Sequence, residues 1–213
     1  MMFADDEPQR TPGRTIHRPV TGEQAMKTRT VVLIGIILVA ALSRLLWHPD
    51  NFTPMTAIAL FAAAYLGNRI VAFLVPLAAM LLSDAAIEWL VRSQLAPSWL
   101  AQKQGFYEGM WLVYVTFALI TVIGFALRRN KSLPAIGGVT LAGSLVFFLV
   151  TNFLWWYGTT WYPHSLAGLV ESYVAGLEFF KWTLLGDLFY ATVLFGGFAL
   201  AQKRYPALRP AAS

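Results

Sequence analysis

Six polar side chains interrupt otherwise apolar runs of this sequence: Arg44, Asp84, Glu88, Asn152, Lys181 and Asp187. An ionised group in hydrocarbon costs at least about 2.5 to 3.5 kcal/mol on insertion scales, so each of these needs a partner or a water-filled cavity. Together they supply both signs of charge and a carboxamide. Such a set can orient a polar small molecule, or it can pair with itself as interhelical ion bridges, with Arg44 and Lys181 snorkelling to an interface. Catalytic signatures are missing: there is no G-x-S-x-G, H-E-x-x-H, P-loop or dinucleotide fingerprint. An enzyme, with the carboxylates as acid and base, is therefore the least favoured reading, and no cofactor is expected. The chain has no cysteine, and His17, His48 and His164 lack ligand spacing, so no metal site is expected either.

The elements that must position these groups follow from hydropathy. Of 213 residues, 57% are hydrophobic and 13% charged, where a soluble domain carries about 25% charged residues. Lipid must be the main solvent, and the expected fold is all-α and polytopic. Six spans are expected, at about 31–47, 54–66, 70–90, 110–127, 135–156 and 179–201. Residues 1–30, with Pro8, Pro12, Gly13, Pro19 and Gly22, read as a disordered tail; 203–213 form a second tail. Only Gly67-Asn68-Arg69 separates spans two and three, which makes them a helical hairpin, and Pro76 kinks the third.

Basic residues give the direction. The side holding both tails carries Arg10, Arg14, Arg18, Lys27, Arg29, Arg69, Arg128, Arg129, Lys131, Lys203, Arg204 and Arg209, while the opposite loops hold only Arg92 and Lys103. By the positive-inside rule both termini lie in the cytoplasm. The same sorting accounts for the net charge of +5 without nucleic acid. The expected location is a bacterial cytoplasmic membrane.

That topology puts all six polar groups in the outer half of the membrane; Asp84, for example, lies about 21 Å along span three. All eight tryptophans, Trp47, Trp89, Trp99, Trp111, Trp155, Trp156, Trp161 and Trp182, map to the same side, as do Tyr107, Tyr114, Tyr157, Tyr162 and Tyr173. Interfacial anchoring would populate both faces. The expected ligand site is therefore Asp84, Glu88, Asn152, Lys181 and Asp187, ringed by Asn51, Trp111, Tyr114, Trp155 and Trp156, and suited to a planar heterocycle. Small-residue spacings at Ala59 and Ala63, and at Ala79 and Ser83, point to internal packing.

Arg44-Leu45-Leu46, Asn51-Phe52-Thr53-Pro54, Leu81-Leu82-Ser83-Asp84, Phe147-Phe148-Leu149-Val150-Thr151-Asn152-Phe153, Tyr162-Pro163 and Gly186-Asp187-Leu188-Phe189 occur in that order. On these stretches the chain resembles an uncharacterised family of bacterial six-helix membrane proteins related to the S components of energy-coupling-factor (ECF) vitamin transporters. The resemblance implies a vitamin-sized ligand held near the outer face under capping loops, and release by toppling of the protein in the bilayer. It further implies an energising subunit with two ATPases, or solitary action similar to cobalamin-type S components. The first span lacks the Ala-x-x-x-Ala pattern with which many S components dock their partner. For a corrinoid, His48 or His164 would be the axial donor. The alternative function is a structural or assembly subunit of a larger membrane complex, with the outer aromatics packed on pigments, lipids or neighbours.

Overall fold

The computed structural model describes residues 22–209, and no strand occurs among them. Helix α1 (Gly22–Leu42) runs into a 3-10 turn at Ser43–Leu45; α2 is Met55–Tyr65, α3 Arg69–Arg92 and α4 Met110–Gly124, the last extended by a 3-10 turn at Phe125–Arg128. Helices α5 (Leu133–Gly158) and α6 (Leu166–Ala191) form an antiparallel hairpin, and α6 continues through a π-helical turn, Thr192–Gly196, into α7 (Gly197–Arg204). Connections 43–54, 93–109 and 159–165 gather at one end of the bundle, here termed the aromatic end. Arg69, Arg128, Lys131 and Lys203 mark the opposite, basic end.

Five helical stretches are long and apolar enough to cross a membrane: Met26–Leu45, Arg69–Arg92, Met110–Arg128, Leu133–Gly158 and Leu166–Arg204. The expected second span is different. At 11 residues, α2 covers about 16 Å, roughly half of a ~30 Å hydrocarbon core. It is apolar because protein encloses it: every residue from Met55 to Ala64 is buried, and α1, α3, α4, α5 and α6 all pack on it. Small residues allow this close approach. A Cβ at Gly124 would overlap Ala63, and one at Gly143 would overlap Thr56. Ala59, Ala63, Ala79 and Ser83 are likewise buried inside the bundle.

A helix that ends inside protein must dispose of its last carbonyls. Arg128 does this for α2, with Nε donating to Ala63 O (2.8 Å), Nη2 to Leu66 O (2.6 Å) and Nη1 to Gly67 O (3.1 Å), while its guanidinium lies 4.7 Å from the centre of the Phe125 ring. Arg128→Met keeps the aliphatic stem and abandons the carbonyls. Hydrogen bonds to a charged group are worth about 1.5 to 3 kcal/mol, so thermal unfolding in detergent is expected to fall by several degrees. Arg128→Lys, lacking the planar fork, restores only part of the loss.

Two boundaries depart from expectation. Residues 22–30, assigned above to the disordered tail, begin α1; Glu23-Gln24-Ala25-Met26-Lys27 are good helix formers that extend an already nucleated helix. Residues 1–21 and 210–213 lie outside the described residues. At the sixth span the helix starts at Leu166 rather than Phe179, capped by Ser165, whose Oγ accepts from Gly168 N at 3.2 Å. From Leu166 to Arg204 the helix is 39 residues long, nearly 60 Å at about 1.5 Å per residue. Its first 13 residues thus stand above the stretch that matches a hydrocarbon layer. They carry Gly168, Ser172 and Gly176, which face α5 and the connection before it, so the segment packs on protein without being an apolar run.

Candidate functional site

A chamber of about 530 Å³ opens at the aromatic end. Its walls come from four places: the 43–54 connection and the start of α2 give Arg44, Asn51, Thr53 and Met55; α3, α4 and the 93–109 loop give Met80, Tyr107, Val113 and Phe117. Helix α5 contributes Phe147, Phe148, Thr151, Asn152 and Trp155, and Trp161 and Tyr162 follow from the turn. Helix α6 adds Ser172, Ala175, Gly176, Phe179, Phe180 and Thr183.

Aromatic rings dominate. Phe117 and Phe147 stack at 5.3 Å, Phe148 meets Phe180 at 4.8 Å, and Trp155 and Trp161 form an edge-to-face pair at 5.5 Å near the mouth. Polar groups are interspersed. Asn152 Nδ2 donates to Phe148 O at 2.8 Å, and the amide lies flat on Gly176, where any Cβ would overlap it. Asn51 has φ = +63°, a left-handed conformation that asparagine tolerates better than most residues.

Among the described residues one charge reaches the chamber, that of Arg44. Its Nη1 lies 2.6 Å from Asp84 Oδ1 and donates to Ser83 Oγ, and Tyr114 OH donates to Asp84 Oδ2 at 2.7 Å. Asp84 and Tyr114, expected to line the site, therefore stand one layer behind it and orient the guanidinium that does. Glu88 is also behind. Its Oε1 accepts from Arg92 Nε, and its Oε2 accepts from the backbone N–H of Gly105 (3.2 Å) and Phe106 (3.3 Å), which pins the 93–109 loop to α3. Gly105 fits there only without a side chain, since a Cβ would strike Asp84 O. Lys103 ties the loop to Asp50 at 3.6 Å. The pinned loop delivers Tyr107 to the chamber wall, where burial, reinforced by the Asp84 charge and opposed by Arg44, pushes its phenol above the ordinary value and keeps it a hydrogen-bond donor.

Glu88→Ala is expected to release this loop. Trypsin cleavage after Lys103 should then speed up about tenfold or more, by the logic of local opening, while far-UV circular dichroism stays unchanged.

Three of the ten expected residues, Asn51, Asn152 and Trp155, line the chamber. Trp156 does not; its indole N–H donates to Pro163 O at 2.8 Å and braces the 159–165 turn. Trp111 is 64% exposed and points away. Lys181 is paired on the outside of α6 with Glu178 at 2.6 Å and lies against Trp182. Asp187 is buried below the floor, 2.7 Å from Ser144 Oγ. Neither His48 nor His164 lines the chamber: both His48 ring nitrogens lie against backbone carbonyls, and His164 Nε2 lies against Thr159 O. Sequence reasoning missed the stripe Ser172, Gly176, Phe180, Thr183, whose three- and four-residue spacing marks one helix face. It also missed Phe148 and Thr151, one turn and one residue before Asn152. No cluster of three or more His, Cys, Asp or Glu side chains suited to a metal ion occurs among the described residues.

Residues 24–208 match a family model described as "Family of unknown function (DUF6580)". No curated protein and no solved structure matches the chain.

Proposed function

We propose that this chain, which belongs to the Family of unknown function (DUF6580), is the substrate-binding membrane subunit of an uptake system for a small, planar, vitamin-like nutrient. The observation that carries this reading is the chamber. Its volume of about 530 Å³ falls within the range of small-molecule sites, about 300 to 1,000 Å³. Its rings offer flat apolar area, and Asn51, Asn152, Thr53, Thr151 and Thr183 offer edge hydrogen bonds at several heights.

The volume suits a ligand of one or two ring systems rather than a whole corrinoid, and the positions of His48 and His164 agree with that. The sorting of Lys and Arg supports an N-in, C-in placement with the chamber facing outward across a bacterial cytoplasmic membrane. Five long helices around one enclosed helix, with the chamber under capping loops, support the likeness to ECF S components. On that likeness an energising membrane subunit is the proposed partner.

Isolation in mild detergent followed by mass spectrometry of bound small molecules tests the reading. The expected result is one heteroaromatic compound at near-equimolar ratio, displaced when Ala175→Phe narrows the chamber. Stable recovery within a larger complex, with no small molecule at any stage and no binding from a panel of water-soluble vitamins, would overturn it in favour of an assembly subunit.

A further inference from the structure

One helical turn beneath the chamber, below Thr183, α6 carries Asp187, which is 2% exposed. Its Oδ2 is 2.7 Å from Ser144 Oγ on α5, and Thr56, buried in the first turn of α2, lies beside it. Thr140 lies one turn before Ser144 on the same face of α5. It is fully buried, and its Oγ1 makes no hydrogen bond among the described residues. Asp187, Ser144 and Thr56 thus come together from three helices in the apolar interior, with the unpartnered Thr140 hydroxyl one turn further along α5.

Charge accounting leaves this carboxyl alone. Helices α2 and α5, which pack on α6, contain no Asp, Glu, Lys or Arg. On α6 itself, Glu171 and Glu178 stand on the exposed upper part, and Lys181 is held by Glu178. The π turn carries no charge, and the first cation of α7 is Lys203 at the basic end. On the 43–54 connection, which packs against Gly186, Arg44 is committed to Asp84 and Asp50 to Lys103, and both His48 ring nitrogens lie against backbone carbonyls. The tyrosines of these helices are engaged elsewhere: Tyr190 bonds Ser43, Tyr173 donates to Leu149 O, Tyr65 sits among Phe61, Phe195 and Phe198, and Tyr157 is exposed. No ion pair to Asp187 exists among the described residues.

The carboxyl is also thinly supplied with hydrogen-bond donors. Ser144 Oγ lies 3.1 Å from Thr140 O and 2.7 Å from Asp187 Oδ2, and both are acceptors when the carboxyl is ionised. One hydroxyl hydrogen cannot satisfy both. Thr140 O already accepts the helical N–H of Ser144, so the hydroxyl is left to serve Asp187, and a proton or a metal cation would supply the balancing charge that a neutral hydroxyl cannot.

We propose that Asp187, Ser144, Thr56 and Thr140 form a site for one monovalent cation, a proton or Na⁺, that neutralises the carboxylate and exchanges through the chamber above it. All-oxygen ligands suit a hard ion. A single carboxylate balances one positive charge and not two, and an intramembrane carboxyl without a protein countercharge is where ion coupling is built. The chamber opens one turn above, at Thr183. The site does not depend on the uptake reading; only its linkage to nutrient binding does.

Infrared difference spectroscopy of the full chain in lipid membranes tests the proposal without any nutrient. One arm exchanges Na⁺ for choline at constant pH; the other steps the pH in choline. A sodium site gives a carboxylate-stretch difference in the first arm, and a proton site gives a protonated-carboxyl band in the second. In either case the signal is lost in Asp187→Asn. Ser144→Ala and Thr140→Val keep the carboxyl, so they serve even where Asp187→Asn fails to fold. They should shift the band or weaken the sodium response at least tenfold. The proposal is overturned if neither arm yields a carboxyl signal in the wild type, or if the signal is unchanged in all of the variants that fold. Failure to find a nutrient would leave these spectra unaffected, so the two readings fail separately.

Discussion

Arg44→Met is expected to be among the most damaging single substitutions in this chain, with a loss of about 3 to 5 kcal/mol, the usual consequence of stranding one partner of a buried ion pair. The side chains of Asp84 and Arg44 are 3% and 17% exposed, with Nη1 and Oδ1 at 2.6 Å. Once the guanidinium is gone, Tyr114 alone among the described residues donates a side-chain hydrogen bond to Asp84. Asp84→Asn is expected to cost less, because Arg44 still reaches Ser83 and the chamber opening. The double variant Arg44→Met with Asp84→Leu should recover most of the stability, since replacing both buried charges by apolar groups is often neutral or better. Thermal unfolding in detergent, arranged as a double-mutant cycle, measures the coupling. A coupling near zero would mean that the pair is solvated and the chamber wall loosely held. Glu88 and Arg92 provide the contrast: Arg92 is 78% exposed, so that pair contributes within the ~0 to 1 kcal/mol of surface bridges.

Helices α3, α4 and α5 were legible because each is a continuous apolar run of about the length a bilayer demands. Helix α2 looked like a short member of the same series, because hydropathy reports apolar surroundings without distinguishing lipid from protein. What separates the two is the enclosure created by Gly124, Gly143 and Arg128, residues distant in sequence. The upper part of α6 was invisible for the converse reason: Gly168, Ser172 and Gly176 pack tightly while reading as polar or neutral. Depth was readable and azimuth was not. Trp111 and Trp155 both belong at the aromatic end, yet one points outward and the other lines the chamber, a rotation set by helix packing rather than local spacing. Likewise Asp84 was legible as a buried charge needing a partner, but Arg44, 40 positions earlier, was read as an equal candidate for snorkelling. The pair inverts the expected roles, with the acid positioning and the base facing the site.

This azimuthal difference gives the uptake reading a demanding test. Trp155→Ala and Asn152→Ala each remove a chamber surface without opening the core, because Trp155 is 45% exposed and Asn152 lies at the wall. Losing an aromatic face that stacks on a ring costs about 1 to 3 kcal/mol, and losing a hydrogen-bonding partner in a polar-recognition site costs a similar amount. Each variant should therefore weaken retention of the co-purifying compound by roughly ten- to a hundredfold, at about 1.4 kcal/mol per decade. The double variant should carry none through a size-exclusion column. Trp111→Ala and Lys181→Ala alter residues of equal prominence in the sequence that face away from the chamber, and both should retain the compound at wild-type stoichiometry. Unfolding temperatures of all four single variants should stay within a few degrees of the wild type, so that a lost ligand is not a lost fold. Loss in Trp111→Ala together with retention in the Trp155 and Asn152 variants would place binding on the outer surface of the bundle and end the assignment of this chamber.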